Sequence, residues 1–361
     1  MKELAELLLK KEIDMTYKEI IEDNIQNHSG TNKWWPKYAF HYTDVSNAVS
    51  ILNSGFLYSR IHVKEKGLMH SDNASRKVIE ITRQETMASV RFYFRPKTPT
   101  QYHNEGFKHS QLRYDNDLNA NVPVPVFFLF DLEKLLCMPE TKFSQFPQSG
   151  SGSTVFNTEI DFMNFNFDEI YGDGPMSNPD AKKYRHAEIL FPDSFKISSC
   201  LRMILCRNNI ERVTLLNWLR EKNKDAYNKY KSFVKVRNPD VFYNNGLFID
   251  ACTYNNNKAS ITFSDKSSKL AYMEKQIRKS NLREKDLKAV NARAEFDWLS
   301  GGRMIDHLEA NLEINYAQGG TVVFDFTHSE NKGADLLLIK FYIENMFMCY
   351  IEQPLAEIEM I

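Results

Sequence analysis

KKYRHAEILFP, Lys182 to Pro192, is the stretch on which the reading of this chain turns. Its second half alternates and stops at a proline, as a β-strand does. It also carries an acid among apolar residues: Glu188 sits beside Ala187, Ile189 and Leu190, with Arg185 and His186 just ahead. Burying a carboxylate in a strand of that composition is costly unless the group is paired or used. Glu188 is therefore the leading candidate for a functional acid, and the alternative is a Glu on the solvent face of an edge strand.

Outward from that strand, LRMILCR from Leu201 reads as another strand and ERVTLLNWLR as the helix that closes a first domain. On the other side, VPVFFLF (Val124 to Phe130) is apolar on both faces and predicts a central buried strand, with the helix DLEKLL behind it. RFYFRP (Arg91 to Pro96) is a strand that its prolines end, and YAFHYT (Tyr38 to Thr43) is another. After the latter, Asp44 suits an N-cap, Val45, Ala48, Val49 and Leu52 form a helical stripe, and Gly55 suits the left-handed C′ position before the strand FLYSR. A helix is expected from about Ala74 to Thr86, and QSGSGST marks a loop. Leu4, Leu7, Leu8, Ile13, Ile20 and Ile21 predict an amphipathic N-terminal segment that serves as a packing or lid element. From about Ser232 short β-type runs recur, interrupted by a charged helical segment near Lys269 to Trp298. The organisation expected is an N-terminal helical segment over 1–37, a domain over 38–230 and a β-rich region over 231–361.

Composition excludes several classes. The chain has 361 residues, 42% hydrophobic and 13% aromatic, long enough for about two domains with their own cores. Its longest uncharged apolar stretch, Val122 to Phe130, is under half of the roughly 20 residues a membrane span needs, and Glu3, Glu6, Lys10 and Lys11 break any export-type apolar run near the start. Cys137, Cys200, Cys206, Cys252 and Cys349 form no CxxC or Cys/His cluster, so reduced thiols in a cytoplasm and no metal site are expected. With 46 Lys plus Arg against 47 Asp plus Glu, nucleic-acid contact must be a local patch. Two such surpluses stand out: Arg60, Lys64, Lys66, Arg76, Lys77 and Arg83, and the run Lys182, Lys183, Tyr184 and Arg185. Either reads equally well as solvated surface.

Together, HYT followed by NAVSILNSGFL, then RFYFRPKTPTQY, then RHAEIL, over roughly Tyr38 to Arg220, resemble the DarT family of bacterial ADP-ribosyltransferases, which modify bases of nucleic acid using NAD. The resemblance implies an α+β fold, an ADP-ribosyltransferase-like split β-sandwich with helices, followed here by a smaller β-rich C-terminal domain. No GxGxxG or Walker-type GxxxxGK occurs in the chain, which is consistent with it.

By that resemblance Glu188 is the catalytic glutamate, hydrogen-bonded to the ribose 2′-hydroxyl of NAD and general base toward the attacking nitrogen. His41, Tyr42 and Thr43 hold the nicotinamide end, and Tyr93 and Phe94 wall the pocket. Arg76, with Arg83 as the fallback, contacts the NAD phosphates. Arg91, Arg95, Tyr102, His103, Lys183 and Arg185 are the candidates for binding a single strand whose target base is unstacked. The implied protein is a toxin in a toxin–antitoxin or phage-defence system, with a cognate antitoxin that removes ADP-ribose or neutralises it, acting on single-stranded DNA in preference to RNA. Two alternatives stay open: a protein-directed ADP-ribosyltransferase or NAD glycohydrolase using the same pocket, and a catalytically silent NAD- or nucleic-acid-binding module.

Overall fold

The apolar run read as a buried strand is one: Pro125–Asp131 buries six consecutive side chains and exposes only Asp131 in part. The neighbouring signals also hold locally. Asp44 Oδ1 accepts from the Ser46 N–H at 3.0 Å at the start of the helix Val45–Ser54, and Gly55 follows it at φ +76°. The structure is a computed structural model that describes residues 15–28, 30–67, 79–114, 117, 121–149, 153–174, 180–237, 239–327 and 333–355. Its class is α+β.

Contacts divide the chain into two compact units, each assembled from separate stretches. The first takes Met1–Tyr42, Ser54–Gln101 and Phe127–Leu205. Its strands are β1 (Tyr38–Asp44), β2 (Phe56–Tyr58), β3 (Ser89–Tyr93), β4 (Pro125–Asp131), β5 (Lys142–Ser144), β6 (Glu188–Pro192), β7 (Ser194–Lys196) and β8 (Leu201–Cys206). Six of them lie in the order β5-β6-β3-β1-β4-β8, while β2 and β7 form a separate antiparallel pair. Register across the sheet sets Phe40 opposite Tyr93, Tyr93 opposite Glu188, and Ser144 opposite Glu188 on its other side. Because side chains alternate faces, Arg91 shares the face of Tyr93 and Glu188, and Phe92 and Ile189 point the other way.

That other face is the core. Phe92, Phe130 and Phe195 meet edge to face at 5.2 to 5.5 Å, and Phe143, Phe162 and Phe165 form a second aromatic cluster. The helix Tyr17–Asn27 closes over this second cluster, started by a capping box between Thr16 and Glu19 and burying Ile20 and Ile21. Tyr17 stacks edge-on against Phe143 and Phe162 and donates its hydroxyl to the Asn157 carbonyl at 3.0 Å. It is a packing element in this structure; residues 1–14, with Leu4 to Ile13, lie outside the described residues.

The second unit takes Thr43–Asn53, Tyr102–Val126 and Cys206–Ile361. It contains the helix Asn209–Lys222, β9 (Val234–Val236), β10 (Ile249–Asn255), β11 (Lys258–Phe263), β12 (Val290–Ser300), β13 (Arg303–Ile314), β14 (Thr321–Asp325), β15 (Leu336–Ile343) and β16 (Met346–Pro354). A sheet in the order β10-β11-β14 and one in the order β13-β12-β15-β16 share one apolar core. Phe296 of β12 packs 4.9 Å from Phe324 of β14, and Phe263 of β11 packs 5.6 Å from Phe341 of β15.

Two expected helices change. Of the segment expected as helical near Lys269 to Trp298, only the helix Lys266–Ser280 is the main helical piece, and from Val290 onward the chain is strand. The reason is periodicity: Val290, Ala292, Ala294, Phe296 and Trp298 are buried at spacing two, and Arg293 and Glu295 between them are half-exposed on the other face. Of the helix expected from Ala74 to Thr86, residues 74–78 lie outside the described residues, and a short helix spans Gln84–Met87.

Candidate active site on the first sheet

Glu188 opens β6, immediately after a turn in which the Ala187 N–H bonds to the Tyr184 carbonyl. Its residue exposure is 0%. The charge is nevertheless met. Arg91 of β3 donates from Nε to Glu188 Oε2 at 2.9 Å and from Nη2 to Oε1, a two-pronged guanidinium–carboxylate pair. Burial works against the Arg91 charge, but Glu188 overrides it and holds the guanidinium above its ordinary pKa. The Arg91 side chain is 28% exposed against 1% for that of Glu188, so the arginine forms the outward side of the pair.

His41, expected beside Glu188, is turned by alternation to the other face of the sheet, where its Nδ1–H donates to the Arg91 carbonyl at 3.0 Å and its ring lies 6.2 Å from Phe92 and 6.4 Å from Phe128. Burial lowers the His41 pKa more than that bond raises it, so the imidazole is neutral and its Nε2 lone pair is left for another donor. Tyr93 is half-buried opposite Glu188, and burial pushes its phenol pKa up, keeping it a neutral donor. Tyr42 follows His41 with its ring 5.0 Å from Phe127, and Thr43, next in β1, is buried. On the far flank, Ser144 stands beside Glu188, its hydroxyl 2.5 Å from that of Ser153, to which Gln148 Nε2 also donates at 2.7 Å. Nothing in the short run KFS singles Ser144 out; only the register of β5 against β6 brings it here.

Other expected site residues land elsewhere. Phe94 was expected to wall the pocket, but strand alternation turns it into the core, where it is fully buried against Phe162 and Phe165. Arg95 was expected at the substrate and is instead 1% exposed. Its guanidinium lies over Trp35 at 4.8 Å and donates to the carbonyls of Ile170 at 3.0 Å and Gly172 at 2.5 Å and to Asp173 at 3.2 Å. Those are the acceptors a buried guanidinium needs, so Arg95 is a post for the end of the helix Phe167–Tyr171 and the two residues after it. Tyr102 and His103 belong to the second unit, where Tyr102 packs against Tyr243 and Tyr272 and His103 lies 4.3 Å from Tyr114. Lys183 is exposed and paired with Asp180 at 2.8 Å, and Arg185 donates to the Gly174 carbonyl at 2.6 Å. Arg83 is exposed just ahead of the helix Gln84–Met87. Arg76 lies outside the described residues.

A family model described as "ssDNA thymidine ADP-ribosyltransferase, DarT" matches residues 40–243. The chain belongs to the DarT family. The match spans β1 through β9, so it contains the Arg91–Glu188 pair and the row of residues around it. Among solved structures, Thermus sp. 2.9 DarT in complex with carba-NAD+ is similar at 16% identity and a TM-score of 0.44, over 58% of this chain and 98% of that one. Thermus sp. 2.9 DarT in complex with ADP-ribosylated ssDNA is similar at 15% identity and a TM-score of 0.45, over 58% and 97%. Thermosipho africanus DarTG in complex with ADP-ribose is similar at 12% identity and a TM-score of 0.42, over 60% of this chain and 53% of that one. No curated protein matches this DarT family member. No helix among its described residues is long and apolar enough to cross a membrane.

Proposed function

We propose that this chain is an NAD-dependent ADP-ribosyltransferase that places ADP-ribose on a thymidine base of single-stranded DNA. We further propose that it acts in the cytoplasm as a toxin held in check by a cognate antitoxin. The transferase domain is proposed as residues 38–230, followed by the β-rich region 231–361; the family match covers 40–243 and so reaches beyond that boundary. The observation that carries the reading is Glu188: a fully buried carboxylate, charge-paired by Arg91, on β6 of the first sheet inside the matched segment.

The chemistry asks for such a group. Transfer breaks the bond between the ribose C1″ and the nicotinamide nitrogen, with the electron pair leaving on nicotinamide, and forms a bond from C1″ to a base nitrogen. A carboxylate that accepts a hydrogen bond from the neighbouring 2′-hydroxyl stabilises the positive charge that develops on the sugar. The same carboxylate can take the proton that the base nitrogen loses. Tyr93, a neutral donor on the same face as Glu188, is proposed to orient the nicotinamide end of NAD, whereas His41, expected to hold that end, lies on the other face beside Phe92. Arg83, exposed, and Arg76 are the proposed phosphate contacts, and Lys183 and Arg185, just ahead of Glu188, are proposed to meet the DNA backbone.

The test combines labelled NAD with matched single-stranded DNA and RNA oligonucleotides, each lacking one base, and compares the parental protein with Glu188→Gln. Gln keeps the shape but carries no charge and accepts no proton, so label on thymidine-containing DNA should fall at least about a hundredfold while the thermal unfolding profile is retained. Label on RNA, on protein, or as free ADP-ribose in every tube would replace this reading with one of its alternatives.

A further inference from the structure

The Arg91–Glu188 contact has a geometry that a substrate-binding arginine would not need. The register partner of Arg91 is Leu190, and that of Glu188 is Tyr93, so the guanidinium reaches its carboxylate along the diagonal between adjacent strands. Both ends of that diagonal are fixed. The Arg91 backbone carbonyl is the acceptor for His41 Nδ1–H at 3.0 Å, and β6 is held on its other side by pairing with β5 from Lys142 to Ser144. A fork engaging both oxygens sets the plane of the carboxylate as well as its position. It still leaves lone pairs on each oxygen, because a carboxylate offers about four acceptor directions and the fork occupies two. Were Arg91 to swing out to a phosphate, Glu188 would lose the cation that charge-pairs it in this buried position.

We propose that Arg91 is a positioning residue for the transfer reaction: it holds the plane and the charge of the Glu188 carboxylate so that its free lone pairs meet the ribose hydroxyl, and it does not bind substrate itself. This rests on the reading of Glu188 as the catalytic carboxylate. It replaces the expectation that Arg91 contacts the nucleic acid.

The proposal is tested by steady-state kinetics of the full chain on NAD and single-stranded DNA, with Arg91→Gln and Arg91→Lys beside the parent. A misaimed carboxylate lowers kcat and leaves ground-state binding alone. Arg91→Gln should therefore lose on the order of a hundredfold in kcat, with the KM for NAD and the Kd for the oligonucleotide within about twofold of the parent. Arg91→Lys keeps a cation but not the fork, and should recover part of that loss and no more. Should the Gln variant fold poorly, the Lys variant carries the same test through its kcat against KM. The proposal is overturned if either KM or Kd rises tenfold or more with kcat retained, which would make Arg91 a substrate contact. It is equally overturned if Arg91→Gln is faster than the parent, which would make the pair an inhibitory latch. The parental protein keeps the two claims apart: no transfer to any strand by the parent sinks the functional reading, whereas parental transfer with unaltered Arg91→Gln kinetics sinks this inference alone.

Discussion

At the scale of single residues, the site shows how one side chain can be read locally while its partner cannot. Glu188 stands out because three apolar neighbours make an unpaired acid costly there, and the structure buries it completely and pairs it with Arg91. Arg91 and Arg95 look alike in RFYFRP, yet β3 ends at Tyr93, so Arg91 is aimed within the sheet at the carboxylate while Arg95 lies beyond it and meets the carbonyls of Ile170 and Gly172 and the Asp173 carboxylate. His41 supplies a prediction at this scale. Its folded pKa is lowered by burial, so as the pH falls below about 6.5 the unfolded imidazole takes up a proton that the folded one resists. More protons in the unfolded state mean that stability rises with pH in this window and is lost on acidification. Between pH 7 and 5, His41→Gln should therefore lose less stability than the parent, by at most about 1.4 kcal/mol per pH unit. Denaturant midpoints at several pH values measure it, and equal losses in both proteins would refute it.

At the scale of elements, alternation and caps mark the strands and helix starts of this chain more sharply than any pattern marks helix extent. VPVFFLF, HAEILFP, LRMILCR and the runs of the C-terminal region are strands as their patterns require. The stretch 290–298 misled because its charged residues are dense enough to look like a helical surface, whereas its apolar residues keep strict spacing two. The helix Asn209–Lys222 carries a testable cap. Asn208 Oδ1 accepts from the Glu211 N–H at 2.9 Å, and its Nδ2 donates to the Ile249 carbonyl at 2.8 Å. Asn208→Ala removes both bonds and should destabilise by about 1–2 kcal/mol, while Asn208→Asp keeps the cap and should lose less. Urea unfolding of the two variants decides it; an Ala variant as stable as the parent would mean the cap contributes nothing.

At the scale of the whole molecule, the second unit is held by a charge network assembled from three distant stretches. Glu105 accepts from the N–H groups of Tyr243 at 3.0 Å and Asn244 at 2.7 Å and lies 3.7 Å from Arg207, which also pairs with Glu211. Lys108 donates to the carbonyl and side-chain oxygens of Asn245, and its ammonium sits 3.9 Å from the ring centre of Tyr272. Burial drives the Lys108 pKa well below the usual lysine range. Close by, Gly106 and Gly246 approach so tightly that a Cβ on Gly246 would stand 2.7 Å from backbone atoms, and Phe107 and Leu247 exchange backbone hydrogen bonds at 2.9 Å. A chain ended after residue 230 keeps Glu105, Lys108 and Arg207 but loses Tyr243, Asn244 and Asn245. Such a chain should lose cooperative unfolding and become protease-sensitive, because it leaves buried charges unmatched. A sharp unfolding transition with parental transfer activity would refute the dependence.

Sequence alone determined where the strands run, that an acid sits inside one of them, and which family's motifs surround it, because period, caps and local composition act over a few residues. Tertiary structure decided which arginine meets that acid, which one braces a helix end, which serine flanks it, and how residues more than a hundred positions apart close the buried network. Those outcomes depend on strand order and register, where a shift of one residue turns every side chain to the opposite face, and no local pattern encodes that choice.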